Sequence, residues 1–543
     1  MEKSSNVKKS IVLSGLVGTG GLFIAKLIGI VYAIPFSSIL GSESYMSIYG
    51  QAYNIYSYIL MVFTAGFPFA IATLVARYSV LNDAKTIQVV KKIALASLAL
   101  MGFCGMILLI GISGILAPLM VEENIDVMAN ALRLLALAIF FVPVLSAFRG
   151  YYQGLKEMEE YAVSQAFEQI FRVAFLLIGA CIVVYVLGID RKYALYISVL
   201  STSVAAIAGI LQIYRFDQKK KAEIDELASS QEGEPVEVKA LLKEYFLSSI
   251  PYLLSSIVGY SQQIYNAILL PLGLRLHKYT TDMITTIISS TTYVGVKITA
   301  IPMILAPGFA AAIIPHITAA LTEKNEKLVR KNIIDCLNVI LYIGIPVSFC
   351  VFLYAKPINR TLFYTENLDM SAYVLSWLAL EAFLGTVAPV VTNLMMALEL
   401  RKTYLRRILI STVIKGVLLV PLTMIFGFAG SVISSIVGDG YLILFNLKEI
   451  KEKYHVQYKK TINVLIRTIL CVLLMWAVST IFNIVGLDGV NGGKLVCFIK
   501  MCMNGLISVT VFVCASEFLG LPQATLHLSF KETAMKVVGK VRG

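Results

Sequence analysis

The chain has 543 residues, 58% of them hydrophobic and 15% charged, with a mean hydropathy of +0.80 and a net charge of +13. Soluble globular chains average about 45–50% apolar and about 25% charged residues, so this composition excludes a soluble fold. The positive excess does not mark a nucleic-acid binder, because it is confined to loops between long apolar runs, where it sets membrane orientation.

The opening MEKSSNVKKS resembles the charged head of a secretory signal. The apolar run behind it is too long for a signal core and has no obvious small-residue cleavage site, so it reads as a retained first span. Ile11 to Ile34 is long enough to cross a bilayer at ~20 apolar residues per crossing. Lys26 sits past its middle, and an ammonium at that depth costs at least ~2.5–3.5 kcal/mol. The favoured reading has Lys26 facing a wet cavity or an anionic partner; the alternative has it snorkelling toward the interface near Pro35. Glycines 15, 18, 20, 21 and 29 thin this span, for bending or for close helix packing.

Fourteen spans follow from the apolar runs: 11–34, 51–76, 93–118, 130–148, 162–187, 193–214, 245–273, 283–313, 333–355, 371–397, 405–427, 430–447, 461–484 and 495–519. The runs are helix-length, not the short alternating segments of a barrel. With Arg406 and Arg407, at the very start of the eleventh span, counted with the loop before it, 32 of the 46 lysines and arginines fall at the tails and the loops of one side, 7 on the other side and 7 within spans. That bias predicts cytoplasmic N- and C-termini.

The longest polar stretch, 215–243, reads as a cytoplasmic linker, part of it helical, between two six-span lobes, 1–214 and 244–448. Spans 13 and 14 (449–520) form an appendage. The basic, amphipathic tail 521–543 either rests on anionic headgroups or stays loosely ordered. The lobes repeat in the same orientation. GFPFAIATLVARYSV, from Gly66, matches GFAAAIIPHITAALT, from Gly308, and Pro143-Val-Leu-Ser-Ala matches Pro389-Val-Val-Thr-Asn. Parallel six-span repeats are one architecture of transporters that work by alternating access, with the substrate site between the halves.

Residues able to carry chemistry are few. Lys297, inside the eighth span, belongs to the opposite lobe from Lys26, and the two together would form a divided cationic site suited to a diphosphate. In RGYYQGLKEMEEYAVSQAFEQIFRV, Glu168 and Arg172 are four apart and can pair along one helix face. Arg149 lies at the cytoplasmic mouth, as a gate or as an orientation anchor. Glu381 and Lys415 either pair or line the path, and Asp439 in VGDGY reads as a structural break or an ion ligand. These five, Arg149, Glu168, Arg172, Glu381 and Lys415, are the candidates for cavity or gating roles. The eight scattered cysteines read as packing thiols. No phosphate loop, nucleophile elbow or His/Asp/Glu metal cluster occurs, so neither an enzyme nor a resident cofactor is expected. With no domain large enough for an ATPase, energy must come from ion gradients, the membrane potential or substrate supply.

The run RGYYQG…VSQAFEQIFRV, the Gly-Phe-Pro after the second span and the fourteen-span layout resemble the polysaccharide-biosynthesis branch of the multidrug/oligosaccharidyl-lipid/polysaccharide exporter superfamily. Within it the chain is most similar to the MurJ-type lipid II flippases of Gram-positive bacteria and their stage V sporulation protein B-like relatives. The resemblance implies an all-α polytopic protein with two lobes in a V. It also implies a cavity for an undecaprenyl-diphosphate-linked sugar, turned across the cell membrane for wall assembly. The partners would be that lipid, membrane lipids and cell-wall synthesis proteins. AKLIG places Lys26, and KITAIP places Lys297, at basic cavity positions of the family. Further basic positions of Gram-negative relatives are filled here by Tyr32, Met61 and Val62. Some relatives bind sodium through the seventh and eleventh spans, where this chain offers Asn266 and Lys415 and leaves the coupling ion open. The runner-up function is export of another lipid-linked glycan or of drugs.

Overall fold

A computed structural model of the chain describes residues 28–29, 31–64, 66–303, 317–318 and 320–526. Helices account for nearly all of them, and no strand occurs among the described residues. The chain divides into two compact units, Met1–Pro271 and Leu272–Gly543, the boundary falling inside the seventh predicted span.

The first unit contains α1 (Val31–Leu40), α2 (Glu43–Thr64), α3 (Phe67–Val80), α4 (Ala84–Met120), α5 (Ile125–Gly154), α6 (Met158–Cys181), α7 (Arg191–Ser230) and α8 (Val238–Gly259). Beyond α8 come α9 (Ser261–Ile264), a π-helical turn at Tyr265–Leu269 and α10 (Leu270–Leu276), which crosses into the second unit. That unit continues with α11 (Thr281–Met303), α12 (Glu326–Leu353), α13 (Ala355–Leu362), α14 (Leu368–Ala397), α15 (Arg401–Phe426), α16 (Phe428–Tyr454), α17 (Lys459–Phe482), α18 (Lys494–Phe518) and α19 (Leu521–Leu526).

Twelve helical stretches among the described residues are long and apolar enough to cross a membrane. They correspond to predicted spans 2–6 and 8–14. Most of the first predicted span, with Lys26, lies outside the described residues, as does Gly308 of the repeat. The seventh is made of the C-terminal part of α8, then α9, the π-helical turn and α10, interrupted at Tyr260. Polar residues explain the interruption, for SQQIYN offers side chains that compete for backbone partners where an unbroken span needs apolar ones.

With 40 residues at ~1.5 Å each, α7 is far longer than the ~30 Å hydrocarbon core, so its C-terminal half stands clear of the apolar layer. The sequence KKKAEIDELASS is rich in strong helix formers and holds no proline or glycine, so the helix of the sixth span runs through the start of the predicted linker to Ser230. The rest of the linker is strapped to the α3–α4 loop. The Gln231 amide donates to Asp83 (2.9 Å) and accepts from the Lys85 backbone (3.1 Å), while Lys85 Nζ reaches the Gly233 carbonyl (2.8 Å).

The first unit's core gathers Phe67, Ile71, Leu74 and Tyr78 of α3 with Leu145, Phe148, Tyr151 and Tyr152 of α5. The glycines of RGYYQG set the closeness of this contact. A Cβ on Gly150 would lie 2.6 Å from the Pro68 carbonyl oxygen, and one on Gly154 2.7 Å from that of Ala72. This is a small-xxx-small seam, which lets two membrane helices pack backbone to backbone. In the second unit, Ile333, Leu337 and Ile340 of α12 pack on Val390, Val391 and Leu394 of α14 and on Leu442 of α16. Pro143 and Pro389, matched in the sequence repeat, each lie inside a helix of 30 residues, α5 and α14 respectively. A polar hub fixes the appendage: Tyr354 Oη lies 3.0 Å from Asn504 Oδ1 and from Ser508 Oγ of α18, and 3.2 Å from Ser479 Oγ of α17.

Candidate functional site

Lys297 stands in α11, two residues past a π-helical segment, Ser290–Gly295. Such a segment widens the helix locally and is frequent at functional positions. Its hydroxyls fold back onto the helix, Thr291 Oγ1 to the Ile287 carbonyl (2.7 Å) and Thr292 Oγ1 to that of Ile288 (2.8 Å). Gly295 takes the packing of Leu378 from α14, since a Cβ there would lie 2.4 Å from Leu378 Cδ1. Lys297 itself is half-buried. The run STTYVG was the signal for this distortion: consecutive Ser and Thr residues can bond to backbone carbonyls and loosen a helix.

In the first unit, a charged group joins α5 and α6. The sequence offered a pairing of Glu168 with Arg172 along α6; the structure pairs Glu168 with Arg149 of α5 instead, Nη2 to Oε2 at 2.8 Å. Both side chains are largely buried, at 12% and 13% exposure. Arg149 also donates to the Ser164 hydroxyl and carbonyl (3.1 and 2.9 Å). The helix-to-helix partner wins because Arg149 can use its planar fork on a carboxylate and a neighbouring hydroxyl together. Arg149 is therefore pinned between α5 and α6.

Arg172, one turn further along α6, has neutral groups as its hydrogen-bond and ring partners. Its Nη2 donates to Gln169 Oε1 (2.8 Å), and its guanidinium lies over the Tyr32 ring at 5.7 Å. Tyr49 and Tyr53 of α2 are its other near neighbours, and Tyr53 bonds to Thr202 of α7 (2.5 Å). Arg172 Nε has no hydrogen-bond partner among the described residues. Tyr32, which the resemblance placed at a position basic in relatives, is thus buried with a cation supplied by α6 beside it.

In the second unit, Lys415 of α15 bonds to Asp439 of α16, Nζ to Oδ1 at 2.6 Å, with 17% and 14% of the side chains exposed. The sequence had left Lys415 between pairing with Glu381 and lining a path. Its ion-pair partner is Asp439, and Glu381 of α14 has Lys415 and Asp439 as charged neighbours and Ser435 as a polar one. Asp439 does not break its helix; α16 is continuous across it. A Cβ at Gly438 would lie 2.4 Å from Lys415 Cγ, so the glycine beside Asp439 makes room for the lysine stem. Of the residues considered for sodium, Asn266 accepts from Gln262 (3.1 Å). No group of three or more His, Cys, Asp or Glu residues able to hold a metal occurs among the described residues.

The structure thus gathers Arg149, Glu168 and Arg172 in one unit and Glu381, Lys415 and Asp439 in the other. Buried charges of this kind in a multi-pass helical membrane protein belong to solute-moving proteins far more than to passive scaffolds. The fold defines a polytopic α-helical protein of the transporter class. Comparison with known proteins narrows it. A family model described as polysaccharide biosynthesis protein matches residues 11–321, and a second, MatE, matches residues 290–422. The chain is 27% identical over 479 residues to the lipid II flippase MurJ of Bacillus subtilis (strain 168), covering 84% of this chain and 85% of that protein. It is 23% identical over 368 residues to stage V sporulation protein B of the same organism, covering 67% and 68%. A solved structure described as lipid II flippase MurJ in an inward closed conformation superposes with a TM-score of 0.66 at 14% identity, covering 93% of this chain and 98% of that one. The chain belongs to the polysaccharide biosynthesis protein family, within the multidrug/oligosaccharidyl-lipid/polysaccharide exporter superfamily.

Proposed function

We propose that the chain is a flippase that carries an undecaprenyl-diphosphate-linked peptidoglycan precursor, lipid II, across the cell membrane of a Gram-positive bacterium by alternating access. The observation that carries this reading is the likeness to a lipid II flippase over 84% of the chain, joined by a fold match over 93% of it. Lys26 and Lys297 are assigned to the diphosphate. Two ammonium groups, one from each lobe, would grip a group that carries two to three negative charges, and the polyprenyl tail would stay in lipid. Arg149, Glu168, Arg172, Glu381 and Lys415 take positioning and gating roles in this reading. Both termini lie in the cytoplasm, and the chain performs transport, not catalysis.

The test is complementation of a flippase-depleted strain by Lys26→Ala and Lys297→Ala, with Lys→Arg at each position as the charge-retaining control. Loss of growth in the Ala variants at normal membrane levels, with partial growth for Arg, supports the assignment. Full growth of both Ala variants removes it. A second reading, export of another lipid-linked glycan or of drugs, is favoured by the MatE match over residues 290–422. Rescue of drug sensitivity without rescue of wall synthesis would select it.

A further inference from the structure

A cavity of about 370 Å³ opens in the first unit between α4, the end of α5 and the extended half of α7. It is independent of the charged groups described above. Its level in the membrane follows from the chain. The third predicted span begins at 93, the fourth ends at 148 and the sixth ends at 214, and Lys92, Phe148 and Tyr214 all line the cavity. Three span ends therefore meet at its wall, which puts it at the boundary between hydrocarbon and headgroups. Tyrosine is the residue type that favours that depth.

The charges lining the cavity divide into bound and uncommitted groups. Lys91 is spent: it bonds to Asp217, which also accepts from the Tyr152 hydroxyl (2.5 Å), and its ammonium lies 5.1 Å from the Tyr151 ring centre. Asp225 accepts from the Gln88 amide at 2.7 Å. Lys92 and Lys221 line the same cavity, are exposed, and enter no ion pair among the described residues. Two uncommitted ammonium groups thus face a cavity that also holds Asp225, whose partner is a neutral amide, and an apolar lining of Leu95, Phe148, Tyr151, Tyr214 and Ile224.

We propose that this cavity binds the phosphate headgroup of an anionic phospholipid, with Lys92 and Lys221 on the phosphate and the acyl chains running along Leu95 and Tyr214. A lysine point charge suits a phosphate oxygen. Each basic residue near an anionic membrane surface contributes enough to change affinity about fivefold. A soluble phosphate compound would satisfy the lysines but leave the apolar wall uncovered, which is why the lipid is the occupant.

The experiment uses the full-length protein, purified in detergent, with native mass spectrometry and thermal stability as readouts. The probes are phosphatidylglycerol, phosphatidylcholine and free glycerol phosphate. The expected result is retention of phosphatidylglycerol over phosphatidylcholine, with a raised melting temperature. In Lys92→Gln/Lys221→Gln that preference should fall by about twentyfold or more, on the same per-lysine scale. Lys92→Arg/Lys221→Arg should keep it. Both positions are exposed, so the variants should melt like wild type in the absence of lipid. Equal retention of the two lipids, or undiminished selectivity in the Gln variant, would overturn the proposal. So would stabilisation by glycerol phosphate equal to that by the lipid, which would assign the cavity to a soluble ligand.

Discussion

Glu168 of α6 pairs with Arg149 of α5, 2.8 Å away and across a helix interface, and not with Arg172 on its own helix. The choice leaves Arg172 with neutral partners: an amide, phenols and the face of Tyr32. The described group therefore carries two guanidinium charges against one carboxylate. Within this group, Arg172 is the cation not committed to a carboxylate.

Breaking the buried pair should be costly. Glu168→Gln leaves the Arg149 guanidinium buried against a neutral amide, and loss of one partner of a buried pair costs about 3–5 kcal/mol. The purified variant should melt well below wild type. Arg149→Leu/Glu168→Leu should be less destabilised than the two single changes added together, and a double-mutant cycle on thermal unfolding checks this.

The second unit's group is unbalanced the other way. Lys415→Met would leave Asp439 without its ion-pair partner and Glu381 without its neighbouring cation, and an uncompensated buried charge is costly. The variant should be strongly destabilised, by about 3 kcal/mol or more. Adding Asp439→Asn should recover a large part of the loss. Denaturation of the purified single and double variants measures both.

The α3–α5 seam predicts a steric effect without any change of charge. Gly154→Val would drive a branched side chain into Val75 and the Ala72 carbonyl, where even a Cβ would lie 2.6 and 2.7 Å away. Overpacking of this kind costs about 1–3 kcal/mol or more. Lower membrane levels of Gly154→Val, set against near-normal levels for a change at the open Gly111, would show that the seam is needed for packing.

The linker strap should respond to pH. Burial alone would raise the Asp83 pKa, but hydrogen bonds from Thr86 and Gln231 outweigh it and hold the carboxyl below the usual range. A group with a lowered folded-state pKa adds stability above its unfolded value of about 3.9, and that stability is lost as pH falls through the folded value. Asp83→Asn should therefore speed protease cleavage within 231–237 at neutral pH, and the difference from wild type should shrink as pH falls below the usual carboxylate range.

Much of this architecture was legible in the sequence, because a span announces itself by length and apolarity and twelve such helices are described. The extent of α7 was legible only in part: some helix was expected within 215–243, but Arg215–Ser230 is polar enough to read as a linker and not as a continuation of the sixth span. The partners of the buried charges were legible only in part. Spacing shows that Glu168 and Arg172 share a face, but it says nothing of Arg149 on the next helix. The same holds for Lys415, whose partner Asp439 lies on α16. The π-helical segment before Lys297 left a trace in STTYVG, whose meaning depends on the Leu378 contact from α14.

The central claim is that this chain moves a lipid-linked wall precursor outward. The most direct measurement is the accessibility of lipid II at the outer face of cells depleted of the protein. The account predicts that lipid II accumulates on the inner leaflet and loses outer-face accessibility. Wild type should restore it and Lys297→Ala should not. Unchanged outer-face lipid II in depleted cells that contain no second flippase would contradict the account.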